Sequence, residues 1–341
     1  MTHTPQTIRV AIYGCGRWAN RTRIPNLVQI DGVELVLCDV DPGALASTAA
    51  AFGVTTTYQD AHHMLEAEPL DALYSLVRAH VRTDVEIAAA ERGIHLFSEK
   101  PQALNLPLAC RIDDAVRRGG VLSTVGFRER YRPLFQEARR LLAGKAIVHV
   151  CFQSVRPLPD PTYPPLAQSG GPGVNWGVHA VDCVRYMTGL DVVRAQAFYC
   201  QRPAHPLPLS QSAHYVLSGG ATMTVTFVLV TDRPAPGQPW FTVFYEGGTL
   251  AIYGYDRIDV DGETVTRGEA FDPWLAQDRA FTSAVRAGDG SLLLSDYHDG
   301  LHTLAPVLAA WDSAQNNGEL VDVPAFLDRA RAEPTDQPSP Q

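Results

Sequence analysis

The stretch Ile8-Arg9-Val10-Ala11-Ile12-Tyr13-Gly14-Cys15-Gly16-Arg17-Trp18-Ala19 decides how this chain is read. An apolar run leads into G-x-G-x-x-A, and a helical pattern follows from about Arg17. Gly14 permits a tight turn, Gly16 lets the backbone approach a pyrophosphate, and the small Ala19 allows close helix–strand packing. The start of the helix offers N–H groups to phosphates. Such a turn is weak evidence alone, but here it has the required strand before it and helix after it. It also has an acid at the end of the next strand, Asp39, 23 residues beyond Gly16. That carboxylate can accept hydrogen bonds from ribose hydroxyls and repels a 2′-phosphate, so NAD is expected in preference to NADP. The competing reading of Asp39 is a turn or capping residue beside Asp41.

Outward from this turn, short β-rich runs alternate with helical patterns. The runs are Arg9–Tyr13, Val33–Cys38, Thr55–Tyr58, Ala72–Val77, Ile94–Ser98 and Val121–Val125. Asp41-Pro42 opens a helix that Gly53 closes, Asp60 caps another, Gly93 stops a third, and Asn105 precedes a fourth ending at Gly119-Gly120. This alternation predicts right-handed crossovers and a doubly wound parallel sheet, an α/β Rossmann domain over residues 1–127. The rhythm then changes. A helix over Tyr131–Leu142 leads to a strand at Ile147–Arg156, a Pro-rich loop from Pro157 to Pro172, and a helix ending at Gly189. From Val192 to Val265 strand follows strand. His214–Ser218, Gly219-Gly220 and Ala221–Val230 read as a hairpin with a two-residue turn. In its second arm Ala221, Met223, Val225, Phe227 and Leu229 alternate with threonines, so one face is packed and the other presented outward. Helices over Pro273–Ala287 and Asp296–Ala314 follow. Residues 128–331 are therefore expected to form an α+β domain on a large, mostly antiparallel open sheet, and residues 332–341 a disordered tail.

Composition narrows the function classes. The 341 residues are 45% hydrophobic and 19% charged, with a formal net charge of −9 and no basic run, which argues against nucleic acid as a partner. No apolar stretch approaches the roughly 20 residues that span a bilayer, and the short polar leader before Ile8 leaves no room for a signal peptide. The six cysteines (15, 38, 110, 151, 183 and 200) show no metal spacing and read as reduced. A cytoplasmic protein without a metal site is the expectation.

Ligands of open α/β sheets sit beyond the carboxyl ends of the strands. Two such ends carry chemistry, Ser75-Leu76-Val77-Arg78 and Ser98-Glu99-Lys100-Pro101. A lone lysine is usually solvated; in a partly dry pocket its lowered pKa suits acid/base work. Further on, Asn175 and His179 lie four apart in Gly170–Asp182 and face one side if a helix starts there. Taken alone, His179 reads more readily as a structural histidine.

These pieces together resemble the Gfo/Idh/MocA family, named for glucose–fructose oxidoreductase and inositol dehydrogenase. The matching residues are Gly14–Ala19, Glu99-Lys100-Pro101, Gly126 to Pro133, Gly170–Gly189, and the helix from Trp274 to Gly288 with Phe281 and Arg286. The resemblance covers nearly the whole chain to about Val323. It implies hydride exchange between a nicotinamide and a secondary alcohol or ketone, often of a sugar, sugar acid or cyclitol. It also implies a homodimer or homotetramer formed through the C-terminal sheet. Lys100 and His179 match the family's lysine and histidine. The cofactor set expected is Gly14, Cys15, Gly16, Arg17, Trp18, Asp39, Leu76, Val77, Glu99, Lys100 and Arg128.

The chain also departs from the pattern. Asn175 stands where dehydrogenating members have an aspartate, and an amide orients groups but cannot take up a proton. The family's Thr-Pro pair is Val77-Arg78, a following histidine is Arg82, and an asparagine after Gly-Phe is Arg128. These arginines suit an anionic substrate group, with Arg82, Arg128 and Tyr163 as candidate substrate residues; the alternative puts Arg78 and Arg82 on the solvent side of a helix start. The leading expectation is a dehydrogenase or reductase using Lys100, His179 and Asn175. The alternatives are an NAD-dependent redox-elimination lyase or glycosidase, and a catalytically silent NAD-binding regulatory protein.

Overall fold

The computed structural model describes residues 6–158, 163–231 and 237–333. The proposed tail and part of the Pro-rich loop lie outside them. Two compact units are formed. The first comprises Met1–Ala103, Ile112–Gln136 and Ala270–Gly300; the second comprises Leu104–Arg111, Glu137–Glu269 and Leu301–Gln341. The stretch Ala270–Gly300, which the sequence division placed with the second domain, clusters with the first unit.

The first unit is built on six parallel strands: β1 (Ile8–Tyr13), β2 (Val33–Cys38), β3 (Thr57–Tyr58), β4 (Ala72–Ser75), β5 (His95–Ser98) and β6 (Ser123–Val125). Their order is β3-β2-β1-β4-β5-β6, the doubly wound arrangement, with the switch point at β1 between β2 and β4. Helix caps fall where the punctuation placed them. Asp41 accepts from Gly43 and Ala44 N–H, Asp60 from His63 N–H, and Gly53 closes Pro42–Phe52 in the left-handed conformation. β4 ends at Ser75, two residues early, which leaves Leu76 and Val77 in the loop beyond the strand.

The helix after β1 is not uniform. Ala19–Arg23 forms a π-helical turn that continues into the α-helix Ile24–Leu27. A π-turn accommodates one extra residue and rotates the side chains beyond it. Arg23, the last residue of this turn, is buried, at 1% exposed.

Nonpolar packing in the first unit centres on aromatic rings from three elements. Tyr74 of β4 stacks on Phe97 of β5 with centroids 4.4 Å apart, and Phe281 sets its edge against both at 5.5 and 5.6 Å. Phe281 belongs to the helix Pro273–Ala287, and it shares this core with Ile12, Ile24, Leu27, Leu37 and Val285. The helix is thus part of the dinucleotide-fold core despite its distance in sequence.

Among the described residues the second unit carries nine strands, β7 (Ile147–Arg156), β8 (Val192–Cys200), β9 (Ser210–Leu217), β10 (Thr222–Leu229), β11 (Phe241–Tyr245), β12 (Gly248–Tyr253), β13 (Arg257–Val260), β14 (Glu263–Arg267) and β15 (Val321–Asp322). They pair in the order β14-β13-β12-β11-β7-β10-β9-β8-β15. All neighbours are antiparallel except β7 and β10. Met223, Val225, Phe227 and Leu229 are buried as the alternation requires. The β9–β10 turn has three residues rather than two: Leu217 N–H donates to the Ala221 carbonyl, and Ser218, Gly219 and Gly220 lie outside the ladder. Gly219 and Gly220 have φ of +81° and +91°, which only glycine adopts cheaply.

Replacing Phe281 with alanine is expected to cost about 3–5 kcal/mol, the range for a buried aromatic. Urea unfolding measures it, and a loss within about 0.5 kcal/mol, typical of surface changes, would remove this helix from the core.

Candidate functional site

In the first unit, the glycine-rich turn is shaped by contacts on both sides. Gly14 has φ +103°, and a Cβ there would lie 2.9 Å from the Val77 backbone nitrogen. Gly14 N–H donates to the Cys38 carbonyl, and Leu76 N–H to the Tyr13 carbonyl. Leu76 and Val77 therefore meet the turn through backbone, which explains why side chains of their size are tolerated there. Gly16 differs: its φ is ordinary, and a Cβ would meet nothing within 4 Å. Nothing in the protein demands a glycine at 16, whereas a bound pyrophosphate would. Gly16, Arg17 and Trp18 are exposed beside this space, and Cys15 is buried.

Asp39 lies at the end of β2 and serves the turn directly. One carboxylate oxygen accepts from Cys15 N–H at 2.6 Å and the other from Asp41 N–H at 2.9 Å. Asp39 thus braces the turn beside Asp41, with its carboxylate next to the Gly-rich loop. Asp41, not Asp39, caps the following helix. The residues thus fit a dinucleotide: a tight glycine turn, open space at the second glycine, a helix start and an acid at the second strand.

The end of β5 carries a cluster of charged groups. Glu99 is buried, and its Oε1 accepts from Arg23 Nε at 2.8 Å with Arg23 Nη2 at 2.7 Å. Its Oε2 accepts from Lys100 backbone N–H at 3.2 Å. Burial works to raise the Glu99 pKa, but Arg23 and then Lys100 outweigh it, and the carboxyl sits below its ordinary value. Lys100 is half-buried and precedes a cis peptide to Pro101. Desolvation pushes its ammonium down to about 8; Glu99 opposes this, and Arg128 adds to it. Arg128 lies over the Trp274 ring, 4.5 Å from its centroid, with Nη2 3.0 Å from Glu129. Trp18 meets Trp274 edge-on at 6.3 Å.

Arg82 is placed differently from either sequence reading. It is buried, donating to Glu86, Ser98 Oγ and the carbonyls of Ser75 and Glu99. Its guanidinium ties the ends of β4 and β5 together and does not lie at a solvent-facing helix start; Arg78 is exposed. Arg23, Gln277 and Asp278 were not singled out from sequence. Arg23 Nη1 reaches Asp278 Oδ1 at 2.8 Å, and Nη2 reaches Gln277 Oε1 at 3.0 Å. The available signal was a charge four residues before the buried Leu27, on a helix's apolar stripe.

The second unit holds the remaining expected residues. Asn175 ends the short helix Gly171–Asn175, Trp176 interrupts it, and His179 lies in the first turn of Gly177–Thr188. The simple four-residue helical spacing is therefore broken between them. Asn175 Nδ2 donates to Tyr163 Oη at 3.1 Å, and Tyr163 packs edge-on against Trp176 at 6.5 Å. Asn175, His179 and Tyr163 are all half-buried. The glycines before them serve packing. A Cβ at Gly170 would collide with Val174, and one at Gly173 would crowd Tyr199 and Gln211. Among the described residues, no group of three or more His, Cys, Asp or Glu side chains is placed to hold a metal.

Residues 8–127 match the family described as "Oxidoreductase family, NAD-binding Rossmann fold", and residues 135–251 match the "GFO/IDH/MocA C-terminal domain". The chain is 33% identical to D-apiose dehydrogenase of Paraburkholderia graminis, over 97% of this chain and 94% of that protein. It is 28% identical to scyllo-inositol 2-dehydrogenase (NAD(+)) of Bacillus subtilis, a match that spans 54% of this chain and only 55% of that protein. In fold it is similar to scyllo-inositol dehydrogenase from Lactobacillus casei, with a TM-score of 0.77 at 19% identity, covering 94% of this chain and all of that one.

The two glycines should separate on substitution. Gly14→Ala is expected to lower the melting temperature, because it strains the backbone and presses on Val77. Gly16→Ala should leave melting unchanged and weaken NADH binding roughly tenfold, about 1.4 kcal/mol, measured by fluorescence titration. Equal NADH affinity in wild type and Gly16→Ala would move the dinucleotide off this turn.

Proposed function

The chain belongs to the Gfo/Idh/MocA family of oxidoreductases, and from that premise we propose that it is an NAD-dependent dehydrogenase or reductase of a secondary alcohol or ketone on a sugar, sugar acid or cyclitol. The observation that carries this reading is Lys100. It is half-buried at the end of β5, its pKa is pushed down to about 8, and it belongs to the same compact unit as the Gly14–Ala19 turn. A lysine in that state exchanges a proton near neutrality, as acid/base catalysis requires.

When bound, the nicotinamide supplies the hydride acceptor or donor. Gly14, Cys15, Gly16, Arg17 and Trp18 would hold the pyrophosphate, with Leu76, Val77, Glu99, Lys100 and Arg128 completing the cofactor set. Asp39 would hold the adenosine ribose, and its charge beside the turn favours NAD over NADP. Neutral Lys100 Nζ accepts the proton of the substrate hydroxyl in oxidation; its ammonium returns a proton to the carbonyl oxygen in reduction. His179, matching the family histidine, would position the substrate and relay protons, Asn175 would orient it, and Tyr163, hydrogen-bonded to Asn175, joins them as a candidate contact. Arg128 remains a candidate for an anionic substrate group. Arg82 we assign to bracing the strand ends.

The substrate class is supported by relatives named as apiose and inositol dehydrogenases. A homodimer or homotetramer through the nine-stranded sheet is supported by Phe198 and Phe244, exposed on its strands. The thiols of Cys15, Cys38, Cys151 and Cys200, none of them in a disulfide, support a reducing, cytoplasmic setting.

Lys100→Met is expected to lower kcat by about 10²–10⁴-fold, with a far smaller effect on NADH affinity. Unchanged turnover would sink the assignment. In wild type, oxidation should rise with pH through about 8 as Lys100 loses its proton, and reduction should fall over the same range. Asp39→Ser should bring NADP turnover toward that with NAD, and a preference left unmoved would contradict the ribose role.

A further inference from the structure

Glu99 poses a problem for the lysine beside it. A buried carboxylate next to an ammonium ordinarily holds the proton in place, since the opposite charge stabilises the ionised form by one or more pKa units. A lysine locked in this way would be a poor base. The geometry around Glu99 supplies the remedy.

We propose that Arg23 is a positioning residue for Lys100: turned inward by the π-helical turn, its guanidinium neutralises the Glu99 carboxylate and so leaves the lysine free to give up its proton. This deepens the proposed role of Lys100 and rests on that reading.

Four observations converge. The π-turn Ala19–Arg23 places the Arg23 side chain in the interior, 1% exposed, with its guanidinium 4.4 Å from the Phe97 ring centroid. Both Nε and Nη2 bear on the same Glu99 oxygen, Oε1, and leave Oε2 for the Lys100 backbone N–H. The rest of the guanidinium is held by Asp278 Oδ1 and Gln277 Oε1, while Asn26 Nδ2 holds Asp278 Oδ2 at 2.9 Å. Finally, Gly126 makes room for the carboxylate, because a Cβ there would lie 2.8 Å from Glu99 Oε2.

Two charges act on the lysine directly, Glu99 and Arg128, and each has partners behind it. Arg23 comes from the helix after β1, Glu99 from the end of β5, Arg128 and Glu129 from the turn after β6, and Asp278 from the helix Pro273–Ala287. Arg82 adds a donor on the Glu99 carbonyl, and Trp18 one on its side chain. Tyr74 and Tyr131 flank Arg23 and Asp278, and both are pushed up by burial. Arg23 faces two carboxylates, so one of them carries excess negative charge. Burial pushes Asp278 up to about 6, while Glu99 stays below its ordinary value. The guanidinium's charge is directed first to the carboxylate that adjoins the lysine.

The chain contains only two lysines, Lys100 and Lys145, which makes a direct test practical. Reductive methylation with ¹³C-formaldehyde keeps the charge and labels both lysines and the N-terminus, so NMR reads each titration without substrate or turnover. Arg23→Gln alone strands two buried carboxylates and is prone to misfold. Arg23→Gln with Asp278→Asn removes one charge of each sign, a replacement that buried pairs often tolerate. In that double variant the Lys100 midpoint should rise by about one unit, with exposed Lys145 unmoved. Adding Glu99→Gln should abolish most of the rise relative to Glu99→Gln alone, since no carboxylate is left to neutralise. A Lys100 midpoint unchanged in the double variant overturns the proposal. A rise of equal size with and without Glu99 overturns it too, because Arg23 would then act without the carboxylate. Arg23→Lys, which keeps the charge, should hold the midpoint near wild type. Failure here leaves the Lys100→Met result untouched, and the reverse also holds.

Discussion

A single buried guanidinium ties together the parts of the first unit that matter for chemistry. Arg23 on the helix after β1 reaches Glu99 at the end of β5, and Asp278 and Gln277 on a helix some 250 residues later in the chain. Gln277 in turn donates to the Val125 carbonyl at the end of β6, at 2.7 Å. Burying an isolated charge is prohibitive, so Arg23 requires each of these partners in place. The pairing fixes the helix that follows the glycine turn, the strand end that carries Lys100, and the helix that closes the core with Phe281.

The carboxyl ends of β1, β2, β4 and β5 then act as one platform. Asp39 braces the turn through Cys15, and the Leu76–Val77 backbone packs against Gly14. Arg82 bridges the ends of β4 and β5 from below. Polar groups that would be costly if unpaired are spent on one another, and the exposed edge is left to Gly16, Arg17 and Trp18. In the second unit the same economy appears in a different form. The glycines at 170, 171 and 173 exist to admit Val174, Gln211 and Tyr199, and they position the helix start that bears Asn175 and His179.

Much of this was legible in the sequence because it is local. The turn Gly14–Ala19, the acid Asp39, the caps at Asp41 and Asp60, and the alternation from Met223 to Leu229 each depend on neighbours within a few residues. What escaped is long-range. Arg23 and Asp278 are single charges in ordinary helical patterns, and only tertiary pairing gives them meaning. Arg82 read as a surface or substrate residue because its partners, the ends of β4 and β5, are brought together by the sheet. The helix Pro273–Ala287 was assigned by its place in the chain, yet Phe281 commits it to the first core. The break at Trp176 and the third turn residue at Ser218 are one-residue irregularities, which periodicity cannot register.

The proposed activity of this platform is net oxidation of a sugar-like secondary alcohol at the expense of NAD. The most direct measurement follows NADH appearance when purified wild-type protein is mixed with excess NAD and a panel of cyclitols, aldoses and sugar acids. Stoichiometric NADH is expected with at least one of them, matched by the corresponding ketone or lactone. A tightly held cofactor that returns unchanged while the substrate is cleaved, or NAD binding with no turnover of any panel member, would contradict it.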